Sequence, residues 1–153
     1  MKILDEKGLS GILKHLLELI MLGGAAIIAF LPVLLQRYLG SLYLGTDEKY
    51  WFLLPFLYIT GFLALIILYN LRRILKTLGR RNPFMADNVK SLTHIAISSF
   101  IVAVLYIVKI LFFNSFLTII LAMVFVIAGL FTIILAEVFQ QAVNVKEEND
   151  LTI

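Results

Sequence analysis

Residues 93–139 read THIAISSFIVAVLYIVKILFFNSFLTIILAMVFVIAGLFTIILAEVF, two apolar runs (93–113 and 116–139) that meet at a single polar break, Asn114-Ser115. Each run is close to the ~20 residues that a helix needs to cross the hydrocarbon core of a bilayer. So short a break leaves no room for anything but a tight turn, and the pair is expected as an antiparallel helical hairpin. Working outward, comparable runs occupy 12–35 and 51–71. The expected fold is an all-α membrane protein, with four transmembrane helices in an antiparallel bundle.

Composition agrees. With 153 residues, 61% hydrophobic content, 15% charge and a mean hydropathy of +1.00, a water-soluble domain would lack the polar surface to cover itself. The four runs and their connections use the chain almost completely, so 1–153 is expected to form one membrane domain with a short tail at 141–153. The first run is longer than the apolar core of a secretory signal and is followed by Pro32 rather than a small-residue cleavage pattern; it is expected to be a retained helix.

The net charge of +3 and the pI near 9.2 would suit a nucleic-acid binder if the basic residues were clustered without regard to the spans. They are not. Lys2, Lys7 and Lys14 precede the first run, Arg72, Arg73, Lys76, Arg80, Arg81 and Lys90 lie between the second and third, and Lys146 follows the fourth. Only Arg37, Lys49 and Lys109 belong to the other side. Lys and Arg are retained on the cytoplasmic face, so both termini and the central loop are expected inside a bacterial or archaeal cytoplasmic membrane. The basic face is then suited to anionic headgroups rather than to direct nucleic-acid binding.

Local chemistry fits these boundaries. Tyr38, Tyr43, Tyr50, Trp51 and Phe52 supply interfacial aromatic rings at the outer side; Gly40, Gly45 and Thr46-Asp47 supply turns, and Pro55 suits a first helical turn. Leu71, Ile74, Leu75 and Leu78 recur with helical period, so the second helix is expected to continue as an amphipathic segment as far as Gly79. In the loop motif Asn82-Pro83-Phe84, Asn82 either caps the next helix with Pro83 at its first position, or that helix begins nearer Asp87. The stripe Val89, Leu92, Ile95, Ala96 and Ser99 leads into the third span.

Ionisable groups at membrane depth are the candidate functional residues. His15, Glu18, Arg72, Arg73, His94 and Glu137 all fall near the cytoplasmic ends of their spans. They compose either a proton- or ligand-responsive layer, with histidine titrating near neutral pH, or ordinary interfacial capping and pairing; the second is the more economical. Lys109 lies about one turn from its helix end and is expected to reach the outer surface by snorkelling. Metal, phosphate-loop and nucleophile-elbow motifs do not occur, and cysteine is absent. No cofactor and no enzymatic role are expected. Gly23, Gly24, Ala25, Ala26, Ala29, Ser99, Ala103, Ala122, Ala128 and Gly129 permit close helix approach, within the chain or in a homodimer.

The loop around Arg81-Asn82-Pro83-Phe84 and Asn88, together with Leu135-Ala136-Glu137-Val138-Phe139, Gln141-Ala142 and the terminal string from Lys146 to Ile153, resembles the YoaS-like family of small bacterial membrane proteins, domain of unknown function 2975. The family often places Ser or Thr directly after Pro-Phe, where this chain has Met85. The resemblance implies a small helix-turn-helix regulator as a partner. The residues themselves offer a contact for one, because the tail carries Glu147, Glu148 and Asp150 and then apolar Leu151 and Ile153. Its alternation favours an extended peptide that could join a sheet edge or give its C-terminal carboxylate to backbone N–H groups; a frayed, solvated terminus is the equally weighted alternative. A regulatory or interaction protein is therefore the leading functional expectation; a small transporter, channel subunit or immunity protein is the alternative.

Overall fold

A computed structural model describes residues 8–41, 47–79 and 82–151. These form five helices, α1 (Leu9–Ala29), α2 (Leu31–Ser41), α3 (Asp47–Gly79), α4 (Ala86–Phe112) and α5 (Phe116–Leu151), with no strand among the described residues. Four of them, α1, α3, α4 and α5, are long and apolar enough to cross a membrane. A helix satisfies its backbone polar groups internally, which is why apolar sequence of this length is helical in lipid. Tyr43, Gly45, Thr46, Lys2, Lys7, Arg80, Arg81, Thr152 and Ile153, all invoked above, lie outside the described residues.

The first run is not one helix. Pro32 has no N–H to donate to the carbonyl of Ile28 and its ring crowds that turn. The chain breaks at Phe30 (φ −98°, ψ 10°), whose N–H donates to the Ala26 carbonyl, and restarts at Leu31 with Pro32 in the new first turn. Leu31, Leu35 and Leu39 then form the buried stripe of α2, which packs on α3. The expected span 12–35 is thus divided by its own proline. A second difference concerns Pro55, which lies inside α3 because that helix begins at Asp47. Its ring is exposed. The end of α3 falls at Gly79, as its residue type suggests.

Neighbouring helices run antiparallel. Glu18 meets Arg72, Gly24 approaches Leu65 and Ile28 approaches Gly61 along α1 and α3. Asn88 meets Thr77 at one end of the α3–α4 pair and Phe112 meets Phe52 at the other. One end of the bundle therefore gathers the starts of α1 and α4 and the ends of α3 and α5, where most of the basic residues lie. The α4–α5 turn marks the opposite, hairpin end.

The α4–α5 interface is the most extensive and is built from small residues at sevenfold spacing. Ala122, Gly129, Ala136 and Val143 are buried along α5, and Ser91, Ala96, Ser98, Ser99, Val102 and Ala103 are buried along α4. Contacts repeating every seven residues keep two helices in register through a left-handed crossing. A Cβ added at Gly129 would stand 2.8 Å from the Phe100 ring, so the ring occupies the space that glycine leaves. Nearer the basic end, Ile74, Leu92, Ile95 and Ala136 join α3, α4 and α5 in one apolar cluster, flanked by Ile67, Leu78, Leu135 and Phe139. By contrast α1 packs mainly on α3 and is largely exposed on its other faces.

Candidate functional site

The candidate cluster is not assembled in one place. Ile74, Ile95 and Ala136 occupy the inward positions of the apolar cluster, so their chain neighbours Arg73, His94 and Glu137 share its depth and are turned outward; all three are exposed. Arg72 points the other way, toward α1, and its Nη2 donates to Glu18 Oε1 at 2.9 Å. Both side chains remain about one-third exposed (33% and 34%), which makes this a partly screened pair. His15 Nδ1 lies 3.8 Å from Glu18 but its side chain is 83% exposed. Among the described residues Glu137 accepts one long contact, from Gln141, 3.4 Å away on its own helix. The six residues thus divide into an α1–α3 ion pair and separate outward groups. Hydropathy fixes depth along a helix, but direction depends on which neighbours take the inward positions.

The loop between α3 and α4 is where the basic end is tied together. Asn88 is 1% exposed, and its Nδ2 donates to Thr77 Oγ1 at 2.7 Å and to the Pro83 carbonyl at 2.5 Å. Thr77 Oγ1 in turn donates to the Ile74 carbonyl at 2.7 Å. Side chains thus tie the last turns of α3 to the loop and to the start of α4. Asn82 is not the cap of α4; Met85 holds that position without a side-chain bond. Instead Asn82 Oδ1 accepts from Lys146 Nζ at 2.9 Å, and Phe84 stands edge-on to Phe139 at 5.2 Å. The loop motif therefore fastens α5 to the α3–α4 turn. Asn88 lies four residues before Leu92 on the buried stripe, so a polar residue at the head of an apolar stripe was the signal for this centre.

Past that latch, α5 continues to Leu151. This corrects the expectation of an extended tail. At 1.5 Å per residue its 36 residues span about 54 Å, more than the ~40–45 Å of a whole bilayer including headgroups. Glu147, Glu148, Asp150 and Leu151 are all exposed; Glu147 and Leu151, four apart, share one face. Ile153 lies outside the described residues.

At the hairpin end, Ser115 caps α5. Its Oγ accepts from the Thr118 backbone N–H at 3.3 Å, a bond that satisfies one donor left free at a helix start. Lys109 Nζ donates to Thr118 Oγ1 at 3.2 Å, and stands 5.6 Å from the Phe56 ring centroid and 6.0 Å from that of Tyr106. The lysine is thus held among rings and a hydroxyl rather than extended freely to the surface. Among the described residues no three His, Asp or Glu side chains gather as a metal site.

Residues 34–153 match the family described as "Protein of unknown function (DUF2975)". No curated protein and no solved structure matches the chain.

Proposed function

The chain belongs to the DUF2975 family, whose description assigns no activity, and from that premise we propose that it is a membrane-anchored interaction protein that presents the end of α5 to a cytoplasmic partner. The observation that carries this reading is the projection of α5 beyond the α3–α4 turn as an exposed acidic helix. Lys146 is held to Asn82, so the residues after it are presented from a fixed point. The basic end faces the cytoplasm in this reading, in accord with the ten-to-three division of Lys and Arg.

Glu147 and Glu148 suit a partner with a basic surface, and Leu151 on the same face supplies an apolar anchor. A small helix-turn-helix regulator, the partner implied by the family resemblance, has the required charge. Transport is less well supported by the interior. Two of the buried polar groups, Thr60 and Asn70, bond to carbonyls one turn back on their own helix, which is the chemistry of helix packing rather than of a solvated path.

The test is site-specific crosslinking in intact membranes, with a photoreactive residue at Leu151 and, as control, at Asn114. A single soluble protein crosslinked from Leu151 and lost on reversing Glu147, Glu148 and Asp150 to Lys is the expected result. Crosslinks to lipid alone, or to the same proteins after charge reversal, would refute the reading.

A further inference from the structure

At the other end of the molecule, α1 leans on α3 and leaves an apolar groove of about 310 Å³ between itself and the α4–α5 pair, walled by Gly24, Ile28, Ala64, Leu65, Tyr106 and Phe125. Its volume is that of a small ligand pocket. Along α3 the wall runs from Leu57 to Leu68, about 17 Å at 1.5 Å per residue, close to half of the ~30 Å hydrocarbon core. The groove is therefore as deep as one leaflet. Its polar wall residues among those described are Thr60 and Tyr106, and the Thr60 hydroxyl is already given to the Phe56 carbonyl at 3.0 Å. Such a wall selects hydrocarbon.

A cation stands beside one of the wall residues, Tyr106. Lys109 lies one turn beyond Tyr106 toward the hairpin, and its Nζ approaches the Tyr106 and Phe56 rings. An ammonium has three donors, of which one is given to Thr118 Oγ1. Among the described residues Lys109 has no carboxylate within ion-pair distance. A charged residue within a span is a functional-site candidate, and with no carboxylate beside it among the described residues an anionic ligand is the complement its charge suits. The Thr118 hydroxyl is buried (1% exposed) and fixes the ammonium from below, while the exposed Ser115, whose Oγ is 3.2 Å from Thr118 Oγ1, supplies a hydroxyl beside it.

We propose that this end is a binding site for one anionic phospholipid, its phosphate on Lys109 and Ser115 and one acyl chain laid in the groove between α1 and α4–α5. Charge beside the wall and hydrocarbon along it match the two ends of that molecule, and the leaflet depth of the groove matches its chain. The site is independent of any partner at the basic end.

The experiment is native mass spectrometry of the full chain, supplied with equal amounts of phosphatidylglycerol and phosphatidylcholine, and in a second mixture with equal amounts of phosphatidylglycerol and oleate. One phosphatidylglycerol per chain is expected. Lys109→Gln should lower its preference over phosphatidylcholine by about ten-fold, the effect of losing one charge-assisted hydrogen bond, and Lys109→Arg should restore it. Ala64→Phe, which fills the groove and leaves the cation in place, should lower occupancy by either lipid. Circular dichroism of each variant checks that the helices persist, and Lys109→Arg stands as the folded control. Equal retention of the two phospholipids by the wild type would mean annular lipid only and overturn the proposal. So would unchanged selectivity in Lys109→Gln, unchanged occupancy in Ala64→Phe, or oleate bound in preference to phosphatidylglycerol.

Discussion

Asn88 of α4 and Thr77 of α3 are joined by a 2.7 Å hydrogen bond across the turn that reverses the chain between those helices. The bond does more than close the turn, because the Thr77 hydroxyl donates to the Ile74 carbonyl and Asn88 also donates to the carbonyl of Pro83. Asn88→Ala should therefore destabilise the protein by about 1–3 kcal/mol, the cost of leaving buried polar groups unmet. Thr77→Ser, which keeps the hydroxyl, should cost less. Unfolding monitored by circular dichroism in mixed micelles measures both; equal losses would show that the Thr77 methyl, not the bond, matters.

Two glycines of similar sequence setting should respond in opposite ways. Gly129→Ala places a Cβ 2.8 Å from the Phe100 ring, whereas Gly23→Ala meets nothing within 4 Å. The first should lose about 1–3 kcal/mol to overpacking. The second should hold or gain slightly, since alanine is favoured over glycine in a helix. The same unfolding measurement separates them, and a tolerated Gly129→Ala would mean that the α4–α5 contact is looser than its geometry indicates.

The Glu18–Arg72 pair is partly exposed, so Glu18→Gln should cost only ~0.6 kcal/mol, typical of polar contacts between membrane helices. Glu137→Gln and His94→Gln should cost less still, because among the described residues neither is in an ion pair with another helix. Unfolding free energies of the three variants check the order. Proton flux in reconstituted vesicles that depends on Glu137 or His94 would contradict the structural assignment.

The division of the basic residues predicts an orientation with the basic end in the cytoplasm. In spheroplasts, Arg73→Cys should resist an impermeant thiol reagent and Asn114→Cys should react; the reverse pattern would place the α5 projection outside and remove its access to cytoplasmic partners.

Much of the architecture was legible because hydropathy reports how much chain lies in lipid. The Asn114-Ser115 break and the stop at Gly79 stand where the residues suggest. The break at Phe30 was obscured because the run around Pro32 remains apolar on both sides, and apolarity alone does not register a missing backbone donor. The helical end of α5 was obscured for the opposite reason. Alternating polar and apolar residues near Leu151 resemble a strand when taken alone, but a helix already formed extends at less cost than a new one begins. The polar cluster failed on direction: Arg73, His94 and Glu137 share a depth while the apolar residues beside them claim the interior.

The division of α1 from α2 has a mechanical meaning. A helix that leans on one neighbour and is joined through a single non-helical residue, Phe30, is a hinged flap on a stiffer frame. The segments of a fold with fewest buried contacts open at the lowest free energy, so the flap can lift while the α4–α5 seam stays shut. Amide exchange along the chain would follow that hierarchy, and whatever fills the space behind α1 would act as its clasp.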